Sequence, residues 1–240
     1  MNILITGASS GIGAQLARDY LAENHRVYAC GRNRERLQQL SQRADDQLEV
    51  LEFDVSDRQA VQRALQDIGP VDIVVLNAGT CEYIDDAQHF SAELVDRVFA
   101  ANFQGFVYCA EALLPQLKAG SQLVVVDSMA RLLPFSRAQA YGASKAAVHY
   151  FANSLKTDLA PAGITVQTVS PGFVKTPLTD KNDFAMPMRV SVATASAAIR
   201  RGIKKRHGQI WFPRVFGWML RGLNRLPIGC QVWLSRRMKG

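Results

Sequence analysis

Residues 2–13 read NILITGASSGIG, an aliphatic run of five followed by a turn that carries Gly7, Gly11 and Gly13. The run suits a short buried strand, and the residues after it open a helical pattern. Glycines at a strand-to-helix turn let the backbone bend tightly and approach a pyrophosphate, whose charge the helix N-terminus stabilises. Ser9, Ser10 and Ile12 complete that turn. A tight turn alone also favours glycine, so the motif gains weight only from its place in the fold.

That place follows from the rest of the chain. RVYAC (26–30), LEVLEF (48–53), DIVVL (72–76), SQLVVVD (121–127), ITVQTVS (164–170) and GQIWF (208–212) are further short apolar runs. Helical periodicity lies between them over 11–24, 33–43, 57–67, 91–118 and 139–160. Strands apolar on both faces belong in a parallel sheet covered on both sides, with the helices as right-handed crossovers. The pattern predicts an α/β fold: a Rossmann-type doubly wound parallel sheet of about seven strands flanked by helices. Residues 1–213 read as one dinucleotide-binding and catalytic domain, and 214–240 as a basic amphipathic helical extension. SPGFVKTPLTDKNDFAMPM (170–188) reads as a loop covering a ligand site.

The net charge of +7 is unevenly spread: residues 1–183 carry about −5, whereas 184–240 hold 12 Lys and Arg and no acid. Cys30, Cys81, Cys109 and Cys230 show no metal-ligand or disulfide spacing and read as reduced, mostly buried thiols, with no metal site expected. No secretory signal and no apolar run of about 18 residues is visible, which points to a cytoplasmic protein.

Two further clusters suggest chemistry. At the end of the second run, YACGRNRER places Gly31 where a ribose-binding acid would be expected and Arg32 next to it, which suits a 2′-phosphate and so favours NADP over NAD. In YGASK, Tyr141 and Lys145 lie one helical turn apart on one face. An ammonium beside a phenol favours the phenolate, lowering the tyrosine's pKa from about 10 toward neutrality and making it a usable proton donor to a developing alkoxide.

Together these motifs resemble the short-chain dehydrogenase/reductase family over about residues 1–212. TGASSGIG (6–13), NAG (77–79), the NFQG that begins at Asn102, Ser128 lying 13 residues before Tyr141, YGASK and SPGFVKT (170–176) occur in the family's order. The resemblance implies an NADPH-preferring oxidoreductase acting on a small carbonyl/alcohol pair by hydride transfer. It makes Tyr141 the general acid/base and Ser128 the hydrogen-bond donor to the substrate oxygen. Lys145 would tune Tyr141 and contact the nicotinamide ribose, and Asn102 would position a relay water. It also implies that Asp54 and Val55 border the adenine, that Asn77, Ala78 and Gly79 line the cofactor, and that Pro171, Gly172, Val174 and Thr176 lie near the nicotinamide. A homo-oligomer is expected. Asp127, directly before Ser128, must be solvated or paired, and His149 reads as a packing or surface residue. The rival reading is a non-catalytic NADP(H)-binding sensor or membrane-associated scaffold.

On a helical wheel, residues 214–226 place Arg214, Arg221 and Arg225 within about 40° of one another, with Val215, Phe216, Met219, Leu220, Leu223 and Leu226 opposite and Trp218 near the boundary. A helix so short does not span a bilayer. It fits either packing on the enzyme body or a second subunit, peripheral contact with an anionic membrane at its inner face, or docking of an acidic partner. A lipid-like substrate would suit the membrane reading. Nucleic acid is disfavoured, because apolar residues interleave with the arginines at helical spacing.

Overall fold

The computed structural model describes residues 1–41 and 47–237. A seven-stranded sheet runs in the order β3-β2-β1-β4-β5-β6-β7, with β1 Asn2–Thr6, β2 Arg26–Gly31, β3 Leu48–Glu52, β4 Ile73–Leu76, β5 Gln122–Val126, β6 Thr165–Pro171 and β7 Gln209–Phe212. Every pairing is parallel. The expected fold class and all seven expected strands are therefore present. Strand order reverses between β1 and β4, which opens a crevice at their C-terminal ends.

Alternate residues of each strand serve opposite faces. Ile3 and Ile5 pack with Leu16 of α1 (Gly11–Ala22) and Ile199 of α7 (Val192–Lys204). Leu4 packs on the other side with Phe106 and Leu113 of α5 (Gly105–Leu113) and Val148 of α6 (Gln139–Leu159). Each such Leu or Ile, fully buried, contributes about 1.5–3 kcal/mol. The remaining helices are α2 Arg34–Gln38, α3 Arg58–Leu65, α4 Ala92–Phe99, α8 Arg214–Asn224 and α9 Ile228–Arg237. Asn33 and Asp57 start α2 and α3 by accepting hydrogen bonds from the Arg36 and Ala60 amides, at 2.8 and 3.0 Å.

Three helices depart from the sequence reading. The helix expected over 33–43 ends at Gln38, and positions 42–43 lie outside the described residues. The helix expected over 91–118 is α4, a π-helical stretch at Ala100–Gln104, α5 and a 3-10 turn at Leu114–Gln116 that contains Pro115. α7 was not anticipated. Its stripe of Val192, Ala195, Ile199 and Ile203 has helical spacing and packs in the core, so the signal was present in the sequence, and the Ser191 hydroxyl starts the helix by accepting from the Thr194 amide at 3.1 Å.

The apolar arc expected on α8 divides. Phe216 and Leu220 are buried against Met129, Leu132 and Leu133, with Leu223 packed alongside, whereas Val215, Met219 and Leu226 stay exposed. Gly217 is what lets α8 settle there, since a Cβ on it would lie 3.0 Å from Met129 Cε and 3.2 Å from the Trp211 ring. Arg221 leaves the expected stripe to stack on Trp211, its Cζ 3.7 Å from the ring centroid. Of the cysteines, Cys30 and Cys109 are buried, Cys81 is partly exposed and Cys230 exposed, all as free thiols.

Candidate active site

The crevice beside β1 is a groove of about 500 Å³. Gly7, Ser9, Ser10, Gly11, Ile12, Arg32, Asp54, Val55, Asn77, Ala78, Gly79 and Thr176 all line it. Gly7 has φ +67°, and a Cβ there would sit 2.9 Å from Ala78 Cα, so bare backbone is required. Gly13 lies beneath the turn, against the Gly7 carbonyl, rather than on the groove wall. Thr6, which the sequence reading missed, ties the turn to β4: its hydroxyl accepts from the Asn77 and Ala78 amides at 3.0 and 3.1 Å. Asn77 Nδ2 in turn donates to the Thr6 carbonyl at 3.1 Å.

At one end of the groove the Arg32 side chain is 78% exposed and its Nη1 lies 3.4 Å from Asp54 Oδ2. Burial works against the Asp54 carboxylate, but the Ser56 amide and hydroxyl and the Arg32 guanidinium hold its pKa below the usual range. The backbone cradle at Gly7 and a largely exposed guanidinium held loosely by Asp54 fit a phosphorylated dinucleotide.

Ser128 follows β5 and caps a 3-10 turn, its hydroxyl accepting from the Ala130 amide at 3.1 Å. Tyr141 and Lys145 stand on α6, and Lys145 Nζ donates to the Val126 carbonyl at 3.0 Å. The same ammonium lies 3.3 Å from the position a Cβ on Gly79 would take, so it is buried behind the Gly79 wall of the groove without lining the space itself. Asn102 projects from the π-helical stretch and makes three hydrogen bonds. It donates to the Thr80 carbonyl at 3.0 Å and to Ser144 Oγ at 2.9 Å, and it accepts from the Thr80 amide at 2.7 Å.

Lys145 does not lower the pKa of Tyr141 as the spacing suggested. Burial pushes the phenol well above its usual value, the nearby Cys81 thiol adds to the rise, and a hydrogen bond with Ser128 opposes it. Lys145 is itself pushed down to about 8 by desolvation, against the pull of Asp127 and Cys81. Its charge is directed at a backbone carbonyl, and burial dominates both groups.

The Asp127 side chain is completely buried and paired: His149 Nδ1 lies 2.5 Å and Arg131 Nε 3.2 Å from its Oδ2. His149 is therefore a hydrogen-bond partner of Asp127, correcting the packing or surface reading. Asn153 Nδ2 contacts His149 Nε2 at 2.9 Å and steadies the ring. The signal was available in the sequence, since Tyr141, Lys145, His149 and Asn153 recur every fourth residue along one face of α6.

Tyr141 and Ser128 also open onto a second cavity of about 450 Å³. Its walls are largely apolar: Met129, Phe135, Phe173, Leu178 and Phe184, closed by Phe216 and Leu220 of α8. Arg137 at its edge is neutralised by Asp85 and Asp183, each at 2.7 Å. Pro171 and Gly172 line this cavity, whereas Val174 is buried in the core beside it and lines neither space. Cys81 and Tyr83, not singled out in the sequence, also form part of its wall.

Residues 1–186 match the family model described as short chain dehydrogenase. Over 180 residues the chain is 33% identical to the NADP-dependent 3-hydroxy acid dehydrogenase YdfG of Escherichia coli (strain K12), covering 72% of this chain and 73% of that protein. Among solved structures it is similar to the closed form of serine dehydrogenase complexed with NADP+, with TM-score 0.78 and 27% identity over 88% of this chain and 94% of that one. It is also similar to a short-chain dehydrogenase from Sphingobium yanoikuyae in complex with NADPH, with TM-score 0.79 and 26% identity over 94% and 96% of the two chains. Because the family match runs through the glycine turn, α6 and the loop beyond β6, the chain belongs to the short-chain dehydrogenase family of oxidoreductases.

Proposed function

We propose that the protein is an NADP(H)-dependent oxidoreductase that reduces the carbonyl of a small hydrophobic or lipid-like molecule, or oxidises the matching alcohol, with Tyr141 as general acid/base. The observation that carries this reading is the position of Tyr141 and Ser128 on the apolar cavity while Lys145, one turn on, lies buried against Gly79 of the groove wall. When bound, NADPH supplies the hydride. The Gly7–Gly13 turn would hold its pyrophosphate at the N-terminus of α1, with Asp54 and Val55 beside the adenine and Arg32 taking the 2′-phosphate.

Within the cavity, the Ser128 hydroxyl donates to the carbonyl oxygen and fixes its place. Because burial keeps Tyr141 protonated, its phenol donates a proton to that oxygen as negative charge develops there. Lys145, anchored on the Val126 carbonyl, supplies a positive field beside the phenolate that results. The cavity walls exclude water from the reacting oxygen. Asn102 braces the Thr80 segment against α6, and the remaining lone pair of its Oδ1 is the place for a relay water.

A non-catalytic sensor does not need a protonated tyrosine buried in a second, apolar cavity. Nor does it need a lysine desolvated beside that tyrosine. The chain works as a homo-oligomer in the cytoplasm, and its extension, residues 214–240, meets an anionic membrane surface. Light scattering and liposome co-sedimentation test these two parts. The activity itself is tested by following NADPH consumption with aldehydes, ketones, quinones and 3-oxoacyl compounds. Carbonyl-dependent turnover strongest with long apolar members is expected; no turnover with any class contradicts the reading.

A further inference from the structure

We infer that the cleft between α7, β7 and α8 is a binding site for the phosphate headgroup of an anionic phospholipid in a bilayer. This rests on the reading of the C-terminal extension as a membrane contact, and on nothing in the catalytic assignment. The cleft encloses about 290 Å³ and is lined by Arg201 from α7, Arg214 and Arg221 from α8, His207, and the rings of Trp211 and Trp218. No carboxylate lines it. The neighbouring Arg200 is engaged by Asp19 and Glu23, whereas Arg201, Arg214 and Arg221 have no carboxylate partner among the described residues.

The guanidinium of Arg221 sits over the Trp211 ring, its Cζ 3.7 Å from that centroid and 5.8 Å from that of Trp218. Stacking of this kind fixes the plane and leaves the N–H edge free for a planar, bidentate contact, which is how arginine recognises phosphate. Burial, followed by the like charges of Arg225 and Arg131, works against its ionised form. A bound anion would relieve that cost.

The surroundings point to lipid as the source of the phosphate. Trp218 is 67% exposed at the cleft's rim, and Val215 and Met219 stand out from the same side of α8. On α9 the usual order is inverted: Gln231 and Ser235 are buried, while Ile228 and Trp233 face outward at 67% and 52% exposure. Gln231 spends its amide on the Asn224 and Leu226 carbonyls at the end of α8, at 3.0 and 2.8 Å, which joins the two helices. Outward aromatic and aliphatic side chains set among arginines form a surface that partitions into a headgroup layer. A second copy meeting it through the same face would bring the same acid-free, strongly basic segment and repel it.

The test is co-sedimentation of the full-length chain with vesicles of phosphatidylglycerol and phosphatidylcholine, compared with phosphatidylcholine alone. Two variants remove the same charge: R201Q/R214Q inside the cleft and R225Q/R236Q outside it. General attraction predicts an equal loss, about five-fold per charge. A headgroup site predicts that R201Q/R214Q loses about a further tenfold. Trp218→Ala should weaken partition while leaving the anionic preference in place. NADPH affinity, unchanged in every variant, checks the fold. Equal losses in the two double variants would overturn the headgroup site while leaving the membrane contact standing. No binding to anionic vesicles would overturn both, as would binding of glycerol 3-phosphate by the soluble protein without any vesicle association. None of these results bears on catalysis.

Discussion

At the scale of single residues, burial decides the chemistry of Tyr141 and Lys145. Tyr141 keeps its proton through neutral pH, so the basic limb of a reductive pH profile should report Lys145, whose value is pushed down to about 8. A lowered pKa on a cationic acid means that charge is lost as pH rises through it, so kcat/KM for carbonyl reduction should fall above about pH 8. A profile flat to about pH 10 would show that the ammonium is not needed. The same shift makes the cofactor-free fold gain stability as pH rises from about 8 to 10.5, where the unfolded chain binds the extra proton. Lys145→Met should remove that gain in urea midpoints. At the other end of the groove, Arg32→Ala should weaken NADPH about tenfold or more, the worth of a charge-assisted bond, and leave NADH within about twofold. Equal losses would make Arg32 a surface residue. The glycine turn and the Tyr141–Lys145 pair were legible because four-residue spacing gives adjacency on a helix. Desolvation was not, because it depends on what other segments bring to the site.

At the scale of elements, α6 organises the site through one stripe that positions Tyr141, Lys145, His149 and Asn153 in turn. Removing the imidazole by His149→Ala leaves the buried Asp127 with Arg131 alone. The expected cost is about 1–3 kcal/mol in chemical denaturation, with a lower kcat and unchanged NADPH affinity. A variant as stable as the parent would show the pair to be dispensable. α8 shows the limit of periodicity from the other side. Its wheel separated arginine from aliphatic residues, but contact with Trp211 and Met129 selected Phe216, Gly217 and Leu220 for burial and left half the apolar arc in solvent. Leu220→Ala should destabilise the protein by about 2–5 kcal/mol and raise KM, since the same side chain closes the substrate cavity. α7 was legible but overlooked: Val192, Ala195, Ile199 and Ile203 recur at helical spacing and pack in the core.

At the scale of the whole molecule, topology was the most legible feature, because short runs apolar on both faces can be buried only in a covered parallel sheet. The uneven charge was equally plain, while its purpose depended on which tail residues point outward, a matter of tertiary packing. The fold sets a polar groove at the strand-order reversal beside an apolar cavity beneath α8, with Leu178 lining both and Tyr141 of α6 on the wall of the cavity. Binding and chemistry should therefore be separable. The most direct test is the Tyr141→Phe variant, assayed for carbonyl-dependent NADPH oxidation and, independently, for NADPH affinity. Turnover should fall by about 10²–10⁴-fold while the NADPH dissociation constant stays within about twofold. Turnover equal to that of the parent would contradict Tyr141 as the proton donor.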